Sequence, residues 1–174
     1  MTYIVGQIFE KREPEVTAWC NENGYLFRKI ESGYQIQSYP EPSFEDLKAA
    51  KLQTLEKAQL QAESEAFIQS SVGYEINAGE RANRDINGLL VTTKETDMVQ
   101  FCDYHNQLHP VMFSQLKVMQ AEIIQNAQYI YAQKWAYRDA INAASTAEEL
   151  DAISFEFKYL DIYEDVNVDD VQEG

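Results

Sequence analysis

The most regular hydrophobic pattern in the chain lies between Ser114 and Ala144. Leu116, Met119, Ile123, Ala127, Ile130, Tyr137 and Ile141 recur at helical spacing, flanked by Ile124, Tyr131, Trp135 and Arg138. Neither Gly nor Pro interrupts this run, which predicts one helix of about 45 Å at 1.5 Å per residue. A second uninterrupted run, Phe44 to about Ser70, carries a thinner stripe of Leu52, Leu55, Gln59, Ala62 and Ala66. Its 3-4-3-4 spacing predicts a helix that packs on one partner helix rather than one buried all round. Thr146 and Glu149 form a capping-box pair that opens a short helix through Leu150 and Ile153. Beyond it, Phe155, Phe157 and Tyr159 either extend that helix or form an alternating strand.

The first forty residues alternate differently. Tyr3 to Phe9 (YIVGQIF) reads as a strand, with Gly6 marking a bulge or crossing. Pro14 and its neighbouring acids open a helix that Gly24 stops. Tyr25–Ile30 and Tyr34–Tyr39, on either side of Glu31-Ser32-Gly33, read as a β-hairpin. Pro40-Glu41-Pro42 ends it as a stiff linker. The stretch 71–112 reads as an arm: a short strand at Val72, Tyr74 and Ile76, a helix at Ala82, Ile86, Leu89 and Leu90, and a hairpin from Met98 back through His109 and Val111. Asn77 to Glu80 is a turn or a cap. The expected fold class is therefore α+β. A small N-terminal βαββ unit over 1–42 precedes a mainly helical domain over 43–160, built on two long antiparallel helices, and 161–174 form an acidic tail. Each long helix is too long to cover itself, which suggests a dimer or trimer.

Charge changes the picture of the chain's end. The sequence has 174 residues and a net charge of −15. Residues 1–138 hold 13 basic and 18 acidic residues, a net of −5, whereas 139–174 hold one basic and eleven acidic residues, a net of −10. This balance argues against nucleic-acid binding and against docking on an anionic membrane. No apolar run approaches the roughly 18 residues of a membrane span, and the N-terminus does not read as a secretory signal. The sequence therefore reads as a soluble protein. From Asp165 the tail reads as mobile and solvated. Alternatively, its closely spaced carboxylates imitate a phosphate backbone and block a host DNA-binding protein.

Candidate chemistry is thin. Cys102, Asp103, His105 and His109 are ligand types for zinc, but Pro110 discourages a helix that would align the two His. The plainer reading is a polar turn with a buried cysteine. A nucleophilic Cys20 or Cys102 needs a base and a group to orient it, and no pattern supplies both. The sequence has no phosphate loop, dinucleotide loop, zinc-protease motif or calcium loop. We expect no enzyme activity, no cofactor and no metal. Aromatic side chains crowd the long helix at Tyr129, Tyr131, Trp135 and Tyr137, as suits a protein interface or a covered core.

Several segments are familiar. SFEDLKAAKLQTLEKA after the YPEP linker is similar to the helical start of small phage tail-associated proteins. The stretch FSQLKVMQAEIIQNAQYIYAQKWAYRDAINAASTAEELDAI resembles an uncharacterised phage domain often encoded near tail-fibre genes. The resemblance rests on Lys134-Trp135, on Ala140 to Ala144 and on Thr146 to Ile153. It extends through VGYEINAGERANRDINGLL and FCDYHNQLHPV, over roughly 43–155. It implies a tail or tail-fibre accessory or assembly protein that works by protein binding in the host cytoplasm and stays on the virion tail in some cases. The resemblance carries no catalytic residue. The expected partner-binding residues are Phe101, Tyr104, Tyr131, Trp135 and Tyr137, as exposed surface on the long helix and the arm.

Overall fold

The computed structural model describes residues 2–163. The acidic segment from Glu164, including the stretch read as mobile from Asp165, lies outside the described residues. The chain divides into two compact units, Met1–Ser43 and Phe44–Gly174.

In the first unit, Pro14 opens helix α1 (Pro14–Asn23), where its missing N–H costs no hydrogen bond. Gly24 closes the helix at φ 73°. Strands β2 (Tyr25–Ile30) and β3 (Gly33–Ser38) pair in the expected hairpin, Ile30 opposite Gly33. The first strand differs from the reading: only β1 (Ile8–Phe9) is extended and paired. Gly6 turns the chain at φ 89°, and its N–H donates to Ile36 O at 2.8 Å, so the alternation of Tyr3 to Phe9 is broken in its middle. The antiparallel order is β1-β3-β2. β1 crosses Gly33 so closely that a Cβ there would lie 2.2 Å from Phe9 O. Val16, Cys20 and Ile36 form the buried centre, ringed by Tyr3, Phe9, Trp19, Tyr25 and Phe27.

In the second unit, helix α2 (Phe44–Glu65) stops earlier than the sequence suggests. Phe67–Gln69 form strand β4 instead and pair with β5 (Glu75–Asn77). Ala66 O accepts the N–H of Ala78 at 2.7 Å, so the backbone leaves the helix to enter this ladder. Helix α3 (Glu80–Thr92) starts against the end of α2, where a Cβ on Gly79 would meet Glu63 O at 2.4 Å. Strands β6 (Met98–Cys102) and β7 (Leu108–Met112) form a hairpin that leads directly into α4 (Phe113–Ala143). Helix α5 (Ala147–Ala152) follows, capped by Thr146 Oγ1 accepting from Glu149 N at 3.2 Å.

Helices α2 and α4 run antiparallel: Lys48 Nζ reaches Asn142 O at 3.1 Å, and Lys134 Nζ reaches Glu56 at 2.7 Å. Two cores lie along them. One joins Leu55 to Ile141, Ala144 and Leu150. The larger joins Ala62 and Ala66 to Ile68, Ile76, Ile86, Phe101, Val111, Leu116, Met119, Ile123 and Ile130. Each fully buried Val, Leu, Ile, Met or Phe among them contributes about 1.5–3 kcal/mol, and each alanine less.

After α5 the chain takes neither expected form. Residues 153–160 are extended but join no sheet. They form a strap held by side chains of α4. The hydroxyl of Tyr137 accepts from Glu156 N at 3.1 Å and donates to Glu156 O at 2.8 Å. The Gln133 amide pairs with both backbone groups of Lys158, each at 2.8 Å. Asn126 Oδ1 accepts from Leu160 N at 2.8 Å. The rungs descend α4 at steps of four and seven residues, one helix face, while the strap advances two residues each time.

Candidate functional site

α4 turns one stripe inward and leaves another uncovered. Leu116, Met119, Ile123, Ile130 and Ile141 are buried. At 100° per residue, Ile124, Gln128, Tyr131 and Trp135 lie about a third of a turn further round. Trp135 is 43% exposed and Tyr131 50%. Their rings meet edge to face with centroids 5.9 Å apart. Arg138 lies over the Trp135 ring at 5.0 Å and Lys134, held by Glu56, lies 6.0 Å from that of Tyr131. Beside this pair is a shallow hollow of about 630 Å³, walled by Glu63, Asn83, Ile124, Gln128, Tyr131 and Trp135. Asn83 Oδ1 is buried with no hydrogen-bond partner.

The other expected binding residues are placed elsewhere. Phe101 is only 9% exposed and belongs to the larger core, which corrects its reading as arm surface. Tyr137 is likewise no free surface. Its hydroxyl holds Glu156, and its ring lies between Phe155 and Phe157 at 5.3 and 5.5 Å. Tyr104 keeps an exposed side but stacks on Phe67 at 4.8 Å. The outward face of the β6–β7 hairpin is made by Met98, Gln100, Cys102, Leu108, Pro110 and Met112, which carries no charge.

The Cys-Asp-His-His segment does not converge. His109 Nε2 lies 2.8 Å from Asp103, and its ring stacks on Tyr74 at 4.1 Å. His105 lies 2.6 Å from Glu75 instead. No group of three or more His, Cys, Asp or Glu able to hold a metal occurs among the described residues. Cys102 is exposed, contrary to its reading as buried. Cys20 is buried, and burial pushes its thiol up, away from thiolate. The N–H of Gln107 holds the Asp103 carboxyl below its ordinary range; the hydrogen bond and charge of His109 add to this, against partial burial.

Two buried polar residues on α4 escaped the sequence reading. Glu122 accepts from Ser70 Oγ, Ser71 Oγ and Ser71 N. Asn126 is fully buried and holds the strap. Both lie beside the apolar stripe, about 100° and about 60° round from Ile123, where the sequence shows only further polar residues among Gln120, Gln125 and Gln128.

Residues 46–154 match the model of a domain of unknown function, DUF4376. The chain belongs to this family. The DUF4376 span runs from the first turn of α2 to just past α5, so the uncovered α4 stripe and the hairpin both lie inside it. No curated protein and no solved structure matches the chain. No helix among the described residues is long and apolar enough to cross a membrane.

Proposed function

We propose that this DUF4376 protein is a binding protein of a phage or prophage tail, an accessory or assembly factor for a tail fibre, that holds its partner on the outer stripe of α4. The observation that carries the binding role is the half-exposed Tyr131–Trp135 pair, fixed edge to face on a rigid helix beside a hollow. Large aromatic side chains that lose little freedom on contact dominate binding energy at protein interfaces. The assignment to a tail rests on the sequence resemblance over 43–155. On this reading the chain has no catalytic role, and it works in the host cytoplasm during assembly, as a dimer or trimer in the finished complex.

Native purification of a tagged copy from phage-producing cells, with mass spectrometry of what is retained, tests the proposal. A fibre or baseplate protein held at high salt and lost on Tyr131→Ala with Trp135→Ala is the expected result. Retention of that protein by the double variant removes the stripe from the account. A nuclease released by salt favours instead the acidic-mimic reading of residues 161–174.

A further inference from the structure

A groove of about 1120 Å³ opens elsewhere in the second unit and shares only Glu63 with the hollow beside Trp135. One wall is α3, with Arg84, Ile86, Gly88 and Leu89. The facing wall is Gln100 to Asp103 of the hairpin. Its volume exceeds that of an ordinary small-molecule pocket and suits a length of chain.

The facing wall is an unpaired strand edge. Asp103 N donates to Gln107 O at 2.9 Å, so these two form a hydrogen-bonded pair at the head of the hairpin. Bonded and non-bonded pairs alternate in an antiparallel ladder. Phe101–His109 and Val99–Val111 are thus the bonded pairs, while Gln100–Pro110 and Cys102–Leu108 are not. Pro110, which has no N–H to give, falls at a non-bonded position. The backbone groups of Met98, Gln100 and Cys102 therefore point away from β7. Tyr104, next in that series, shows where they point: its N–H donates to Glu75 O of β5 at 2.8 Å. Past that bond β5 and β6 belong to separate sheets, and Asn77, Gln100 and Cys102 line the groove.

α3 leaves room opposite. A Cβ added at Gly88 would meet nothing within 4 Å. Glycine weakens a helix interior relative to alanine, and here the missing side chain keeps the groove wide.

We propose that this groove takes an extended, basic segment of a partner protein, which adds as a further strand to the outer edge of β6 beneath α3. A row of backbone donors and acceptors two residues apart is matched by another extended backbone. Among the lining charges Asp85 pairs with Arg81 at 3.7 Å and Asp103 with His109 at 2.8 Å, which leaves Glu63 and Glu80 against Arg84 and selects a net positive segment. Alternate apolar side chains of that segment meet Leu60 and Leu89. This site goes beyond the tail reading and stands or falls separately from it.

Selection of a displayed library of random twelve-residue peptides on the full chain tests it. Enriched peptides are expected to alternate apolar with polar positions and to carry net positive charge. A synthetic copy of the enriched sequence slows amide exchange at Met98, Gln100 and Cys102, and binds at least tenfold more weakly to Gln100→Pro and to Gly88→Trp. Gln100→Pro removes an N–H that β7 does not receive, and Gly88→Trp enters open space, so both variants keep the native circular dichroism and unfolding temperature. Gly88→Leu replaces either variant that fails to fold. No enrichment, enrichment of acidic peptides, or equal binding by both folded variants overturns the proposal.

Discussion

Asp103 ties the head of the β6–β7 hairpin together, since its carboxylate accepts from Gln107 N at 2.8 Å and meets His109 at 2.8 Å. Its folded pKa lies below the ordinary carboxylate value, about 3.9 in an unfolded chain. The stabilisation is therefore complete above about pH 4 and is lost as pH falls through the folded value. The Gln107 amide resonance should move with that acid titration, and Asp103→Asn should abolish the acid-side movement. A titration of the Gln107 amide that is the same in both proteins would contradict this. Glu122 is a second single-residue lock. Its removal leaves the buried hydroxyl of Ser70 without this acceptor, while the donors of Ser71, an exposed residue, pass to water. Glu122→Ala should cost about 1–3 kcal/mol, read as a lower urea midpoint. Neither role was legible from sequence. A glutamate beside an apolar stripe names no partner, and the serines that satisfy it lie about fifty residues away. Phe101 was misplaced for a different reason. Neither face of its strand carries a charge, with Val99 and Phe101 on one and Met98, Gln100 and Cys102 on the other, so a period of two shows that there are two faces without saying which is inward.

The helices were legible because their patterns are long and local. α4 occupies Phe113–Ala143 where the stripe predicts 114–144, and Pro14 and Gly24 bound α1 as their backbone preferences dictate. The end of α2 was not legible, because no Gly or Pro marks Glu65 and the competing strand depends on partners beyond an intervening turn, from Glu75 to Asn77. The strap is the least local element of all. Its backbone is paired by helix side chains, an arrangement that no periodicity announces. It also explains why Tyr137 is covered while Tyr131 and Trp135 remain open. Tyr137→Phe removes both bonds to Glu156 and Gln133→Ala both bonds to Lys158. Each should cost about 1–2 kcal/mol and speed amide exchange at residues 156 and 158 at least tenfold. Unchanged exchange at those amides would mean that the apolar contacts of Phe155 and Phe157 alone hold the strap. The hydroxyl of Tyr159 is pushed up by burial, assisted by the negative charge of Glu65 and by Tyr104, in keeping with a strap that is packed rather than loosely laid.

At the scale of the whole molecule, most of the excess negative charge lies after residue 138 and much of it beyond the described residues. Binding through the α4 stripe makes that end dispensable. Removing residues 164–174 should leave partner capture within about twofold of the full chain at physiological salt, whereas a DNA mimic would lose it. The two units are each built around their own core, and the DUF4376 span falls within the second, so the proposed tail-binding role is assigned to that unit. The central claim is that a tail protein sits on the stripe of α4. It is tested most directly by photo-crosslinking in phage-producing cells, with p-benzoylphenylalanine placed at Gln128, between Ile124 and Tyr131, and at Gln53 on α2 as an exposed reference. The account predicts a crosslink from position 128 to a tail-fibre or baseplate protein, absent from position 53. A crosslink of equal yield from both positions, or none to a tail protein from position 128, would contradict it.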